Sequence, residues 1–472
     1  MPDRVVVDRI DFREALVFPR VVGSVVGALQ PARMLLATFA LLSILVVGRG
    51  YDLIRGPVVP AAGLLAGDRA AGDAALASEM ARRIARETLP ADRRPSGMDG
   101  FGGRVDVEDV HAALRSYRGQ LEGSDRAAVQ RALDRLQPYR GKGAFDALAT
   151  AIGARLDALV TAVVSLELGG VSGVFPCLAD LGITIPVALW KADWFSAIFL
   201  AIVFGSMLGV FGAALCRMAA LDLARKGGLS PVQALDFVSP RRLNHALVPL
   251  WPGITLLVLL PVALLLGLLG RVPGLDLIAG LAWGLALFFS LLAAVVLVPW
   301  ALAMPMAIAA SACEGCDGLE AAQRCGAMIY RRPLHALLYA ACGVVAVALL
   351  AFTVDLITTV AIELAAGVAG ISAGQGAVAK AGGARFLQAD AFPSAGDMTG
   401  VSQALGTVSV GLIQLWQGLL QSLAAGAVLG GVFTVATAAY LAMRRTCDDQ
   451  PFDDLWMPGH PAGSRQGSAP AA

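Results

Sequence analysis

Long stretches without a charged residue constrain the fold of this chain more than any other feature. Residues 398–443 contain no Asp, Glu, Lys or Arg over 46 positions, and residues 277–313 contain none over 37. A helix needs roughly 20 apolar residues to cross the hydrocarbon core of a bilayer, which is about 30 Å thick. Helices and closed barrels are the only elements that satisfy their own backbone polar groups in that core. The sequence therefore predicts an all-α protein with several membrane-spanning helices.

The composition agrees with this prediction and excludes other classes. The 472 residues are 57% hydrophobic and 15% charged, whereas soluble proteins average roughly 45–50% and about 25%. The 37 basic and 36 acidic residues nearly cancel, so no positive field indicates nucleic acid as a partner. The seven cysteines are odd in number and irregular in spacing, which argues against a disulfide framework.

Six segments are predicted to cross the membrane as a helical bundle. The predicted spans are residues 34–51, 194–216, 246–270, 277–313, 334–354 and 422–443. Before the last span, Gln414, Gln417 and Gln421 form a polar stripe at helical spacing. Residues 355–421 are therefore predicted to form an outer amphipathic and flexible segment.

Basic residues indicate how the chain is threaded through the membrane. Four segments are assigned to the inner side and carry five, five, three and three basic residues: residues 1–33, 217–245, 314–333 and 444–472. The two short loops on the opposite side carry one basic residue, Arg271, and two, Lys380 and Arg385. The positive-inside rule then places residues 1–33 and the tail, residues 444–472, in the cytoplasm of an inner membrane. The tail is polar and is predicted to be disordered. Residues 52–193 are predicted to face outward as a helical insert with an interfacial end. This insert has few large apolar residues for a core of its own.

Two regions repeat the pattern RRxxHAL, at residues 241–247 and 331–337. Each pattern follows a short amphipathic stretch and precedes a predicted span, so residues 194–270 and 277–354 are predicted to be duplicated helical hairpins. Clustered basic side chains at the inner surface favour contact with anionic lipid headgroups or phosphate. Topological anchoring is the simpler alternative, although it needs no histidine. The candidate contact residues are Arg241, Arg242, His245, Arg331, Arg332 and His335.

Other motifs carry no predicted chemistry. Cysteine is a common zinc ligand, but the spacing of Cys313, Cys316 and Cys325 matches no standard zinc ribbon, so no metal site is predicted. Residues 170–173 read GxSG, as in rhomboid-type proteases, and none of the four histidines is placed to activate the serine. No catalytic residue and no cofactor are predicted.

One segment carries a resemblance to a known family. Residues 311–339 contain Cys-Glu-Gly-Cys-Asp-Gly-Leu-Glu-Ala and then Arg-Arg-Pro-Leu-His-Ala-Leu-Leu-Tyr. This resembles a bacterial multi-pass inner-membrane protein family of unknown function with a motif of the type EGxDAxxAxxRSxxYxxxRPxxYLxY. Residues 220–249 and Phe12-Arg13-Glu14 also fit that family, although Cys316 and Cys325 stand where serine is expected. The resemblance implies an inner-membrane location and a similar architecture, and it implies no activity.

These features together predict a non-enzymatic integral membrane scaffold or accessory subunit. Its predicted partners are the lipid bilayer, with its anionic headgroups, and a membrane or extracytoplasmic protein. The alternative is a secondary transporter or permease built on the duplicated hairpin, since Pro299 and Pro305 interrupt the fourth predicted span. An enzyme is the third interpretation.

Overall fold

The computed structural model describes residues 18–61, 63–65, 69–95, 107–121, 123–170, 172–251, 253–255, 261–269, 271, 276–373 and 401–457. These residues form helices and contain no β-strand, and an antiparallel bridge joins Val59 to Lys142. The α-helices are α1 (Phe18–Ser24), α2 (Pro31–Arg55), α3 (Arg69–Thr88), α4 (Val107–Arg118), α5 (Gly123–Leu136), α6 (Ala144–Val164), α7 (Val174–Ala179), α8 (Ile185–Ala192), α9 (Trp194–Leu223), α10 (Pro231–Val238), α11 (Arg242–Leu247), α12 (Pro261–Leu269), α13 (Asp276–Leu281), α14 (Trp283–Glu314), α15 (Gly318–Arg331), α16 (Pro333–Ala373) and α17 (Val401–Asp448). Short 3₁₀ turns cover Val25–Leu29, Ala91–Arg93, Gln137–Tyr139, Ser239–Arg241 and Val248–Leu250.

Six helices in the described part of the chain are long and apolar enough to cross a membrane. They are Pro31–Arg55, Ala144–Val164, Val174–Ala192, Trp194–Leu223, Pro333–Ala365 and Leu415–Asp448. The predicted all-α helical bundle is confirmed, and the described residues contain as many candidate spans as were predicted, although not all of them are the predicted ones. Large apolar side chains also remain exposed on these helices; Leu35, Phe39 and Val46 of α2 are 56–68% exposed. In water such a surface would cause aggregation, and in a bilayer it faces lipid.

The membership of the six differs from the prediction in two places. Residues 144–164 and 174–192, assigned to the outward insert, have the length and composition of spans. The second of these continues through a π-helical turn, Asp180–Thr184. Predicted span 246–270 lies partly outside the described residues. Most of predicted span 277–313 lies in α14, which is continuous from Trp283 to Glu314 through Pro299 and Pro305.

The last two long helices extend beyond their predicted ends. The Gln-striped segment was predicted to be separate from the last span, but α17 runs without a break from Val401 to Asp448. Helix α16 likewise continues to Ala373 and includes Asp355 and Glu363. Neither segment contains a proline or a turn signal at the expected boundary, so backbone hydrogen bonding propagates through it. Residues 374–400 of the predicted flexible segment lie outside the described residues.

The chain divides into two compact units, and the first comprises residues 1–41, 201–351 and 425–472. Its core contains many alanines beside larger residues such as Met306, Tyr440 and Met443. Small residues let helix backbones approach closely. A Cβ at Gly209 would meet the carbonyl of His245, and a Cβ at Gly426 would meet Thr38. Close helix packing therefore depends on these glycines.

The second unit comprises residues 42–200 and 352–424. Helices α3, α4 and α5 form a small core of their own, with Leu114 and Leu136 fully buried. The insert was expected to have few large apolar residues for a core, but leucine, isoleucine and valine supply seven of the ten buried residues here. Asp52 of α2 accepts hydrogen bonds from the backbone N–H groups of Phe145 and Asp146, each at 2.9 Å. It thereby caps the N-terminus of α6, where a negative charge is favourable.

Candidate functional site

The C-terminal ends of α9, α14 and α17 meet in the first unit. Arg217 of α9 donates to the carbonyl oxygen of Ala312 at 3.3 Å. Glu314, the last residue of α14, contacts Tyr440 and Arg444 of α17. Each helix end leaves four carbonyl groups without an intrahelical partner. We call Arg33, Arg217, Glu314, Tyr440 and Arg444 the helix-end junction.

Three arginines of the junction are almost completely buried. Arg33, Arg217 and Arg444 are each 2% exposed. Arg33 donates to the carbonyl oxygens of Gly27 and Met218 at 3.0 Å each. It also forms an ion pair with Asp222. Guanidinium groups satisfy free carbonyls at helix ends and offset the negative end of the helix dipole.

Glu314 lies at the centre of the junction. Its carboxylate accepts hydrogen bonds from Arg324 of α15 and from the hydroxyl of Tyr440. Arg444 lies 3.6 Å from the same carboxylate and donates to the carbonyl oxygen of Pro451 at 2.8 Å. Because the side chain of Glu314 is only 11% exposed, its charge depends on these partners for compensation.

A cavity of about 160 Å³ adjoins the junction. Arg241 stacks over the ring of Trp456 at 4.6 Å and donates to the carbonyl oxygen of Gly315. Gly315 has a φ of +64°, and a Cβ there would meet both Trp456 and Arg241. Glycine is therefore required at this position. The cavity is lined by Phe237, Pro240, Arg241, His245, Ser311, Gly315 and Trp456.

The cavity contains a histidine–serine contact that the sequence did not reveal. His245 Nδ1 lies 3.0 Å from Ser311 Oγ, and the Ser311 hydroxyl donates to the carbonyl oxygen of Ile308 at 2.8 Å. A hydroxyl has one hydrogen, so we assign the Nδ1–H tautomer, which donates to Ser311. Burial, followed by the charge of Arg241, lowers the pKa of His245 to about 4. The ring is therefore neutral at neutral pH, and in this tautomer it donates a hydrogen bond to Ser311.

The two RRxxHAL patterns have different environments in the structure. Arg241 and His245 line the cavity together, whereas Arg242 is exposed. In the second pattern Arg331 ends α15, and Pro333 begins α16, because proline cannot continue the preceding helix.

The basic residues of the second pattern do not form a cavity with each other. Arg331 is 67% exposed and lies 3.5 Å from Asp448. Arg332 is exposed. The ring of His335 faces that of Tyr339 at 6.4 Å. Of the six candidate residues, the structure thus brings Arg241 and His245 together at the cavity.

Part of the tail also belongs to the site, against the prediction of disorder. The backbone N–H of Trp456 donates to the carbonyl oxygen of Cys313 at 2.9 Å, and Leu455 is 6% exposed. Phe452, Leu455 and Trp456 are large apolar residues in an otherwise polar segment. That contrast was the signal that this part of the tail packs against the protein. Residues 458–472 lie outside the described residues.

The cysteines near the site are free thiols. Burial raises the pKa of Cys316 to about 12 and that of Cys325 well above its usual range. Metal binding needs a thiolate, which these environments disfavour. Among the residues that the structure describes, no group of three or more His, Cys, Asp or Glu side chains could hold a metal ion.

No protein-family model, curated protein or solved structure matches this chain. The class of this protein therefore follows from its own residues. Six long apolar helices with exposed apolar faces define a membrane protein with an all-α bundle.

Proposed function

We propose that this chain is a multi-pass protein of a bacterial inner membrane, with both termini in the cytoplasm, that acts as a scaffold or accessory subunit without catalysis. The unequal distribution of basic residues supports the orientation. The resemblance of residues 311–339 supports the membrane and the architecture. Its partners are lipid and a membrane or extracytoplasmic protein.

The helix-end junction is the observation that carries the proposal. Its buried guanidinium groups contact carbonyls and carboxylates on other helices, so the ends of α9, α14 and α17 are tied together. Separating a buried charge from its partner costs about 3–5 kcal/mol. A bundle fixed in this way suits a protein that holds its shape while others assemble on it.

The exposed basic residues are the proposed contacts for anionic lipid headgroups. Arg242, Arg331 and Arg332 are exposed, and the neighbouring Leu243 and Leu334 are 73% and 79% exposed. Exposed arginine beside exposed leucine suits the boundary between headgroups and acyl chains. Among the other candidates, Arg241 is bonded to Gly315 and His245 is buried, which makes both less suited to this contact.

Site-directed labelling tests the orientation. The background replaces the three partly exposed native cysteines, Cys316, Cys342 and Cys447, with serine. Two single variants, Leu76→Cys in α3 and Val232→Cys in α10, place a thiol at positions 54% and 67% exposed. A membrane-impermeant maleimide should label the first in intact cells and the second only after permeabilisation. The reverse pattern would overturn the proposed orientation.

Native mass spectrometry tests the lipid contact. The variant R242E/R331E/R332E should lose most of the phosphatidylglycerol that co-purifies with the wild-type protein. The matched control, R83E/R126E/R135E, changes the charge equally at three exposed arginines of the insert and should retain that lipid. Equal retention by both variants would exclude a headgroup site at these arginines.

A transporter remains the second candidate because residues 241–247 and 331–337 repeat one pattern, and internal repeats are common in transporters. Spin labels at Val232→Cys and Leu319→Cys, both in the first unit and both exposed, separate the two functions in lipid nanodiscs. A scaffold should give one narrow distance distribution. Two populations that differ by more than about 5 Å would favour alternating access.

A further inference from the structure

A second polar groove lies in the insert, between α4 and α5, and its volume is about 310 Å³. This groove is separate from the helix-end junction and from the residues proposed to contact lipid. Three guanidinium groups and one imidazole line it, together with two amides and one carboxylate. The lining residues are His111, Arg115, Arg118, Gln130, Leu133, Asp134, Gln137 and Arg140.

The basic side chains of α4 share one face of that helix. His111, Arg115 and Arg118 are spaced at i, i+4 and i+7, which places them in one row. Val110 and Leu114 lie fully buried in the small core of the insert. The packing of α4 therefore fixes the basic row toward the groove.

The contacts within the groove leave positive charge uncompensated. Arg140 is paired with Glu108 at 2.9 Å. Arg118 donates to the side-chain oxygen of Gln130, and Gln130 donates to Asp134 at 2.8 Å. Arg115 has no hydrogen bond or ion pair with any residue that the structure describes. One guanidinium thus remains available for a ligand.

The like charges in this row carry a cost. Neighbouring like charges on a helix destabilise it. Burial, and then the charge of Arg140, lower the pKa of His111. A bound anion would offset the repulsion between Arg115 and Arg118.

We propose that the groove between α4 and α5 binds a phosphate group, from either a free anion or a lipid headgroup, with Arg115 as the principal contact. The guanidinium of Arg115 offers two parallel N–H donors, which match two phosphate oxygens. Arg118 lies one turn away on the same face and adds a second positive charge. Asp134 opposes the anion, because its carboxylate lines the same groove.

Titration calorimetry on the full-length protein in an uncharged detergent tests the free anion. Inorganic phosphate is titrated at constant ionic strength, so that general screening does not change. Arg115→Gln should weaken binding about tenfold, as expected for the loss of a charge-assisted bidentate contact. Arg135→Gln is the matched control, because Arg135 is exposed on α5 and lies outside the groove.

A further variant distinguishes a binding site from a structural effect. Asp134→Asn removes the opposing carboxylate and should strengthen phosphate binding, whereas a damaged fold would weaken it. The test for a lipid headgroup compares the melting temperature of the protein in nanodiscs of phosphatidylcholine with and without phosphatidylglycerol. A shift that depends on Arg115 assigns the phosphate to a headgroup.

The outcomes of these measurements decide the proposal. Arg115-dependent binding of inorganic phosphate, or an Arg115-dependent lipid shift, supports the site and names the source of the phosphate. Equal weakening by Arg115→Gln and Arg135→Gln would show diffuse attraction and overturn it. Absence of both saturable phosphate binding and a lipid shift in the wild-type protein would overturn it as well.

Discussion

Tyr330 donates its hydroxyl hydrogen to the carbonyl oxygen of Val295 at 2.8 Å. Pro299 lies four residues after Val295 within α14 and has no backbone N–H, so it cannot make the usual helical bond to that carbonyl. Tyr330 belongs to α15 and supplies the missing donor from outside the helix. An unpaired carbonyl in an apolar environment costs several kcal/mol, which gives this contact a structural role.

The pairing of Tyr330 with Pro299 predicts a specific coupling. Tyr330→Phe removes the donor and should lower the free energy of unfolding by about 1 kcal/mol. Pro299→Ala restores the backbone donor, so Tyr330→Phe should have little effect in that background. Unfolding in detergent micelles, followed for the four proteins of the double-mutant cycle, measures this coupling. Equal effects of Tyr330→Phe in both backgrounds would refute the pairing.

Glu314 is expected to be the most sensitive acidic residue of the junction. Glu314→Gln leaves the buried guanidinium of Arg444, whose side chain is 3% exposed, without its carboxylate. Removing one partner of a buried pair costs about 3–5 kcal/mol. Thermal unfolding in detergent should show a loss near the lower end of this range.

The control for Glu314→Gln is Glu320→Gln, since Glu320 is an exposed acid six residues further along the chain. Glu320→Gln should change the free energy of unfolding by less than about 0.5 kcal/mol. Similar melting temperatures for the two variants would show that Glu314 is not specifically stabilised by its contacts.

The helical class and most of the long helices were predictable, because an uncharged run of 20 or more residues leaves few alternatives. For α9 and α16, the hydropathy of the sequence was sufficient to predict the position of the helix. It could not separate a surface that faces lipid from one buried in protein. In α14, Leu285 and Leu291 are exposed, whereas Ala307 and Ala310 are buried, and burial in protein has the same sequence signal as burial in lipid.

The candidate site was less predictable because charge patterns do not reveal burial. Arg33, Arg217 and Arg444 were counted as inner-side charges that set the orientation. They are 2% exposed, and Arg33 and Arg217 donate to carbonyl oxygens of other helices. The contact between His245 and Ser311 joins residues 66 positions apart in the chain. Contacts of this kind arise from packing, and no local pattern encodes them.

Gly315 and Gly326 provide a matched pair of glycines. Gly315→Ala introduces a Cβ against Trp456 at a φ of +64°, so it should destabilise the protein by about 1–3 kcal/mol. Gly326 lies inside α15, and a Cβ added there would have no neighbouring atom within 4 Å. Gly326→Ala should therefore be neutral or stabilise by up to about 1 kcal/mol. Thermal melting of both variants in the same detergent gives the comparison, and a stable Gly315→Ala protein would show that the contact with Trp456 contributes little.

His245 predicts a component of stability that depends on pH. Its pKa is lowered to about 4 in the folded protein, against 6.5 for an ordinary histidine. Between these values the unfolded chain binds more protons than the folded one, so the free energy of unfolding falls as the pH drops from about 6.5 to about 4. The full effect is about 3 kcal/mol, since each pKa unit corresponds to about 1.4 kcal/mol.

Melting temperatures measured between pH 7 and pH 4.5 test this component. His245→Asn keeps a donor for Ser311 but does not titrate, so its melting temperature should fall less over this range than that of the wild-type protein. His335→Asn makes the same change in the second RRxxHAL pattern and should keep the wild-type slope, because His245 is still present. Identical slopes for all three proteins would show that protonation of His245 does not oppose folding.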